Sequence, residues 1–502
     1  MDVALENVQV KNMLNKAEEK FISTLSRQVQ KQIGQFTTPQ NIANYMSDRL
    51  LEKNLCQKHS TFKILDPGAG TGVLGISLVQ KIFSINSDAI VQIVSYENDN
   101  NALKVLRHNY KLISKWAKNN NLKFTYTIKP QNYILDGYNL FDYGINNHEN
   151  EYDLIISNPP YKKLRKDSEE AAAMSFIVHG APNLYGLFLA KSIIELKPKS
   201  NAIFIIPRSW MSGSYFTKLR HFIFSQGNIS EIHSFKTRKN KFGNAKVLQE
   251  LVIVVFKKKS EINQIRYFTH NSISLLNKTN YIMADKANIV VGKEQRIYLV
   301  NSKKDIETLK WANRFSSTVE NSGLKMKTGL TVCFRNKSLL EDEGSSENVP
   351  IIFSDNISKH SVHLNRKKGQ FLKKKRNGLL QNNQDYIFVK RFSSKEEKRR
   401  IQTAYYNSSR FSKYDQISTD NKLNFVIAEN HNLLKGAYLF LSSTKFDEYY
   451  RLLGSNTQVN STEINTMKCP SKQQLIELGQ KYDAQRLESM EQSMIDKLIS
   501  NI

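Results

Sequence analysis

Apolar positions along this chain follow two periods. From residue 62 onward, short apolar runs of strand length alternate with stretches in which apolar residues recur every three or four positions, the mark of amphipathic helices. Residues 62–65 read as a first strand, with Val73, Leu74 and Ile76 opening a helix behind it. A second strand is predicted over residues 89–96, a helix over 101–118, a third apolar run over 152–157, a helix over 187–196, and further strands over 202–207 and 248–256. Strands alternating with helices imply an α/β fold with a doubly wound, mostly parallel sheet, which binds ligands where strands run into loops. Upstream, Leu14, Phe21, Ile22 and Leu25 predict an amphipathic helical lead-in over residues 1–35. Thr38-Pro39 then predicts a helix start, Thr38 as N-cap and proline in the first helical position, with Ile42, Met46, Leu50 and Leu51 on one face. Past about residue 270 the rhythm fades into Asn-, Lys- and Ser-rich segments with short runs such as residues 386–389. Leu475, Leu478, Tyr482, Leu487, Met490, Met494 and Leu498 predict helices near the C-terminus. The expected division is a lead-in over 1–35, an α/β domain over 36–265, a boundary region over 266–315 and a mixed α+β domain over 316–502.

Charge changes this picture. The 502 residues carry 73 Lys+Arg against 46 Asp+Glu, a formal net charge of +27, which points to a polyanionic partner. The excess is shared, +14 in residues 1–260 and +13 in the rest, and is densest over residues 361–400, where 13 basic residues face 3 acidic ones. Phe371, Tyr386, Phe388 and Phe392 interleave with those cations, which favours a polyanion-binding surface over a merely solvated face. No apolar run reaches the ~20 residues of a membrane span. The first residues do not read as a secretory signal. Cys56, Cys333 and Cys469 lie far apart with no paired spacing, which predicts a reducing, cytoplasmic setting without disulfides. The ten histidines, His179, His221 and His233 among them, match no metal-ligand spacing.

Three strand ends carry candidate chemistry. Asp66-Pro67-Gly68-Ala69-Gly70-Thr71-Gly72 lies at a strand-to-helix turn, where glycines admit a ligand close to the backbone and the helix offers free N–H groups. It lacks the Lys-Ser/Thr of a phosphate loop, and the Gly70, Gly72, Gly75 spacing leaves a dinucleotide site open. Glu97, ending the second strand, suits a ribose hydroxyl under either reading. Asn158-Pro159-Pro160-Tyr161 follows the third apolar run. Consecutive prolines fix an extended loop there, so an asparagine carboxamide oxygen and a proline carbonyl can accept the two hydrogens of a planar NH2 group while Tyr161 offers a stacking face.

These motifs, in this order, resemble the S-adenosylmethionine-dependent DNA methyltransferases that make N6-methyladenine, in the subgroup with the cofactor motif first and a C-terminal target-recognition domain. The resemblance covers essentially the whole chain and implies a Rossmann-like methyltransferase sheet followed by a mixed α+β recognition domain. It assigns residues 34–39, with Thr37, Thr38 and Pro39, to covering the cofactor. Asp66, Pro67, Gly68, Ala69, Gly70 and Gly72 take its methionine side, Glu97 its ribose, and Asn132 the place of an acidic adenine contact. Asn158, Pro159, Pro160 and Tyr161 become the catalytic loop, and Tyr161 and Phe242 the residues that stack on a flipped base. Residues 185–188, 203–207 and 242–247 occupy weaker motifs. Residues 327–335, 389–394 and 456–460 resemble segments of modification methylases of type II restriction systems. DNA contacts are expected from Arg335, Arg366, Lys367, Lys368, Lys373, Lys374, Lys375, Arg376, Lys390 and Arg391, and no metal is required. The implied partner is double-stranded DNA. A cognate restriction endonuclease is expected as a system partner without a stable complex, no membrane is involved, and the chain is expected to be a monomer or weak dimer in a bacterial or archaeal cytoplasm.

Rival readings are an N-methyltransferase acting on RNA or a protein glutamine, a catalytically dead DNA-binding module, and a combined restriction-modification enzyme suggested by Asp385 and the Glu396-Glu397-Lys398 triplet. The basic half-chain behind the motor domain disfavours the first, intact motifs the second, and the ease with which such a triplet arises in a Lys/Glu-rich stretch the third.

Overall fold

The computed structural model describes residues 38–51, 60–139, 144–145, 151–235, 251–271, 276, 280–358, 360–394, 397–454, 458–500 and 502. It divides into two compact units at Asn301/Ser302.

The first unit is built on a nine-stranded sheet. In chain order its elements are α1 (Gln40–Leu50), β1 (Thr61–Pro67), α2 (Val73–Ile85), β2 (Ile90–Tyr96), α3 (Asn100–Asn119), β3 (Lys123–Lys129), β4 (Tyr152–Ser157), α4 (Leu184–Glu195), β5 (Leu196–Pro207), α5 (Thr217–Gln226), β6 (Gly227–Phe235), β7 (Leu251–Lys258), β8 (Gln264–His270) and β9 (Tyr281–Asp285). The strand order is β9-β8-β6-β7-β5-β4-β1-β2-β3. β5, β4, β1, β2 and β3 run parallel, whereas β7 is antiparallel to both neighbours. Apolar residues fill the central strands on both sides: Ile64, Leu65, Ile155, Ile156, Ile203, Phe204 and Ile205 are all fully buried, as a sheet covered on two faces requires. Register sets Pro67 beside Tyr96 and Tyr96 beside Lys129, so β1, β2 and β3 end level and their following loops share one edge. Ser157 ties the end of β4 to that edge through its hydroxyl, 2.8 Å from the Pro67 carbonyl.

A buried polar cluster fixes α1 to the far side of this sheet. The Tyr45 hydroxyl lies 2.9 Å from His233 Nδ1 and 3.2 Å from His270 Nε2, and His233 Nε2 lies 3.0 Å from Glu231. Glu231 also receives both arms of Arg49 from α1 and the guanidinium of Arg266 from β8. Burial raises the Glu231 carboxyl, but His233 and Arg49 outweigh it and hold it at about 2.

Two expectations shift. Pro39 itself is the N-cap of α1, with Gln40 the first helical residue, because the Thr38 hydroxyl is engaged elsewhere. The stretch expected as a boundary, 266–315, is shared between the units: β8 and β9 extend the first sheet and a helix over Lys303–Asn313 opens the second unit. The lead-in over 1–35 lies outside the described residues.

The second unit holds a four-stranded antiparallel sheet in the order β10 (Leu324–Thr328), β16 (Leu423–Ala428), β13 (Tyr386–Lys390), β14 (Thr403–Tyr406). A second sheet contains β11 (Asn348–Ile352), β12 (Phe371–Lys373) and β15 (Gln416–Thr419). Helices over His431–Ser442, Thr444–Arg451, Lys472–Gln480 and Gln492–Ser500 complete it, the last two within the predicted helical stretch. Tyr386 and Phe388 belong to its core, Phe371 is half-buried and Phe392 is exposed, so the interleaved aromatics divide between packing and surface.

Candidate active site

The glycine turn after β1 is shaped by backbone geometry that side chains resist. Gly68, Gly70 and Gly72 all have positive φ, and a Cβ on Gly70 would meet nothing within 4 Å, so open space lies over the turn. Beneath it, Asp66 is fully buried. Its Oδ2 accepts the Gly75 N–H at 3.0 Å, while Oδ1 has no hydrogen-bond partner among the described residues. Burial pushes this carboxyl up to about 7, against the pull of the Gly75 N–H.

Glu97 closes the turn from the neighbouring strand. Its Oε2 accepts the Gly70 N–H at 2.8 Å, and its Oε1 accepts the N–H groups of Asn98 and Asp99 at 2.9 and 2.8 Å. Burial raises its pKa and these donors oppose the shift. Asp99 in turn caps α3 by accepting from Asn101 and Ala102. The carboxylate expected at a ribose is therefore also the brace between the loops after β1 and β2.

The loop after β3 is held from three sides. Asp136 accepts from Tyr96 at 2.5 Å and from Lys129 at 2.9 Å, and the buried ammonium of Lys191 on α4 donates to the carbonyls of Tyr133 and Asp136. Asn132 sits on this loop. Its Oδ1 accepts the Ile134 N–H and its Nδ2 donates to Glu170, both at 3.0 Å. Sequence reading missed both Lys191 and Glu170, since a lysine inside an apolar helix and an acid in a polar stretch carry no spacing signal.

Asn158 begins the loop after β4. Its Nδ2 donates to Thr38 Oγ1 at 2.9 Å, and its Oδ1 accepts the Tyr161 hydroxyl at 2.6 Å. That hydroxyl also lies 3.0 Å from the Ile205 carbonyl on β5. Tyr161 is 8 % exposed and meets Tyr185 edge-on, so it supports Asn158 from below and leaves little ring face open. Phe188 and Pro160 lie 3.2 and 3.6 Å from where a Gly68 Cβ would stand, which sets the loop after β4 directly against the glycine turn. The structure thus gathers Thr38, Asp66, Gly68, Gly70, Glu97, Asn132 and Asn158–Tyr161 along one edge of the sheet, with Pro39, Pro67, Ala69 and Gly72 framing the turns. Thr37 and Phe242 lie outside the described residues.

The basic residues of the second unit differ in how they are engaged. Arg366 pairs with Asp355 at 3.2 Å and covers the Phe353 ring, Lys373 pairs with Glu341 at 2.7 Å, Lys374 donates to the Ser346 carbonyl, and Arg376 to Asn336. Lys367, Lys368 and Lys375 are exposed. Arg391 bonds the Asn421 carbonyl, and Lys390 ends β13. Asp385 accepts from Tyr405, Ser408 and His431; these donors outweigh burial and hold its pKa down, making it a brace between β13 and β14. Glu396 lies outside the described residues.

Residues 18–242 match the Eco57I restriction-modification methylase family. Over nearly the whole chain the sequence is similar to two curated proteins. It is 26 % identical to the type II methyltransferase M.PstI of Providencia stuartii, covering 97 % of this chain and 96 % of that one. It is 27 % identical to the type II methyltransferase M.BsuBI of Bacillus subtilis, covering 94 % of each. Among solved structures, the type IIL restriction-modification enzyme MmeI, solved in complex with DNA, superposes with a TM-score of 0.54 at 12 % identity over 92 % of this chain and 72 % of that one, a likeness of fold.

Proposed function

We propose that this chain, whose residues 18–242 match the Eco57I restriction-modification methylase family and whose whole length is similar to two type II methyltransferases, transfers a methyl group from S-adenosylmethionine to adenine. Its substrate in this reading is the N6 amino group of an adenine turned out of duplex DNA, and its role is to protect host DNA from a cognate endonuclease. The observation that carries it is the Asn158 carboxamide, held at the end of β4 between Thr38 and Tyr161 and beside the open glycine turn.

The residues fit the cofactor. Space over Gly70 leaves room for the methionine end, the unpartnered Oδ1 of Asp66 lies beneath it, and Glu97 stands one strand over for the ribose hydroxyls. When bound, S-adenosylmethionine supplies an activated methyl on a sulfonium, so the protein's task is alignment.

The adenine amino nitrogen is a poor nucleophile because its lone pair is delocalised into the ring. Asn158 Oδ1 can accept two hydrogen bonds, one from Tyr161 and a second from the substrate amino group; the Pro159 carbonyl accepts the other amino hydrogen. Together they draw the lone pair out of conjugation. With Nδ2 donating to Thr38 Oγ1, the carboxamide turns its Oδ1 toward Tyr161. Stacking on the base falls to Phe242 in this reading, since the buried Tyr161 ring leaves little face open and serves to hold Asn158. Unstacking the base costs a few kcal/mol, offset by these contacts.

Labelled methyl transfer to unmethylated genomic DNA, RNA and total protein tests the reading. It predicts label in DNA alone, and sequencing of modified bases then yields the recognition site. Label confined to RNA or protein would favour the rival N-methyltransferase acting on RNA or a protein glutamine.

A further inference from the structure

One end of the four-stranded sheet in the second unit carries three segments together. Thr328 pairs with Asn424 and Lys390 with Leu423, so the chain leaves β10, enters β16 and leaves β13 along the same edge. The segment after β10 is firmly held. A Cβ on Gly329 would fall 2.0 Å from the Asp420 carbonyl oxygen, the Thr331 and Ser418 hydroxyls lie 2.6 Å apart, and the Asn421 N–H donates to the Thr331 carbonyl at 2.9 Å. Cys333 turns inward onto the core beside Val349 and Leu372. Asn336 closes the turn on the Val332 carbonyl at 3.0 Å and receives Arg376.

From this fixed turn Phe334 projects outward, 68 % exposed, with the Arg335 guanidinium 5.5 Å from its ring centre. Joined to the same Asn421–Lys422 turn, Arg391 is held by its N–H on the Lys422 carbonyl and its guanidinium on the Asn421 carbonyl, and Phe392 beside it is 47 % exposed. A phenyl ring held rigidly in water contributes nothing to the core and exposes apolar area. With the Arg335 guanidinium beside it and Arg391 bonded to the turn that braces its segment, it matches one kind of polyanion, a duplex whose base faces are apolar and whose margins are phosphates.

Resting on the DNA reading above, we infer that Phe334 is a wedge that enters the base stack within the recognition site, while Arg335, Lys390, Arg391 and Lys422 neutralise the flanking phosphates. The wedge is a contact separate from the extruded adenine and unstacks a second step of its own.

The test scans 2-aminopurine through each position of a duplex carrying the recognition site and reads fluorescence on binding the full chain. The wild type should brighten at the methylated position and at one further step. Phe334→Ala should lose the second signal and bind about tenfold more weakly, with an unchanged melting temperature, whereas Phe334→Leu, still apolar, should keep both signals. The wedge is overturned if Phe334→Ala keeps every signal, or if the wild type brightens at the methylated position alone. A wild type that brightens nowhere and methylates no DNA would refute the DNA reading itself and the wedge with it.

Discussion

At the scale of single residues, the site depends on two side chains whose burial sets their roles. Tyr161 holds Asn158 through one hydroxyl, at 2.6 Å. Replacing it with Phe removes that bond and keeps the ring. A bond of this type contributes about 1–1.5 kcal/mol, so Tyr161→Phe should lower kcat about tenfold with little change in KM for DNA, measured by steady-state methyl transfer. Asp66 is a carboxyl whose folded-state value, about 7, stands above its ordinary 3.8. Between those two values the folded state binds the proton and the unfolded chain does not, so this group makes stability fall as pH rises from about 4 to 7. Asp66→Asn can keep the Gly75 bond and removes the buried charge. It should therefore melt above the wild type at pH 8, match it near pH 4, and bind S-adenosylmethionine more weakly, as thermal unfolding and calorimetry would show. Equal melting at pH 8 would count against a buried carboxylate there.

At the scale of elements, α1 links a buried polar cluster on the far strands to the loop after β4. It begins beside Thr38, which orients Asn158, and is anchored through Tyr45 and Arg49 to His233, His270 and Glu231 on the far strands. Tyr45→Phe leaves two buried imidazole nitrogens without that partner and should cost about 2 kcal/mol of stability, readable by denaturant unfolding. None of this cluster was legible in sequence, because His233 lies on a strand 188 residues from Tyr45. The central parallel strands were legible from their continuous apolar runs. Strand β3 was not, since Lys123, Thr125, Thr127 and Lys129 alternate with Phe124, Tyr126 and Ile128 on an edge strand and break up any apolar run. The motif loops were readable because glycine and proline announce backbone geometry directly. Their braces, Lys191 and Glu170, were not, since they act through contacts that only the folded chain creates.

Over the whole molecule, the charge excess is the property that depends least on any one contact. Both units are basic, and association with a polyanion should release counterions in proportion to the phosphates neutralised. Lys367 and Lys368 are exposed, whereas Lys373 is spent on Glu341 and Arg366 on Asp355. The double variant Lys367→Gln/Lys368→Gln should therefore flatten the dependence of log affinity on log salt by about 1 to 2 units, and Lys373→Gln should change it less, as titration at several salt concentrations would show. An unchanged slope in the double variant would move the DNA contact away from this segment. The central claim is tested most directly by mass spectrometry of nucleosides from DNA of a methylation-free host expressing either the wild type or Asn158→Ala. The account predicts N6-methyladenine with the wild type and none with the variant. Methyl groups on cytosine, or N6-methyladenine persisting in Asn158→Ala, would contradict it.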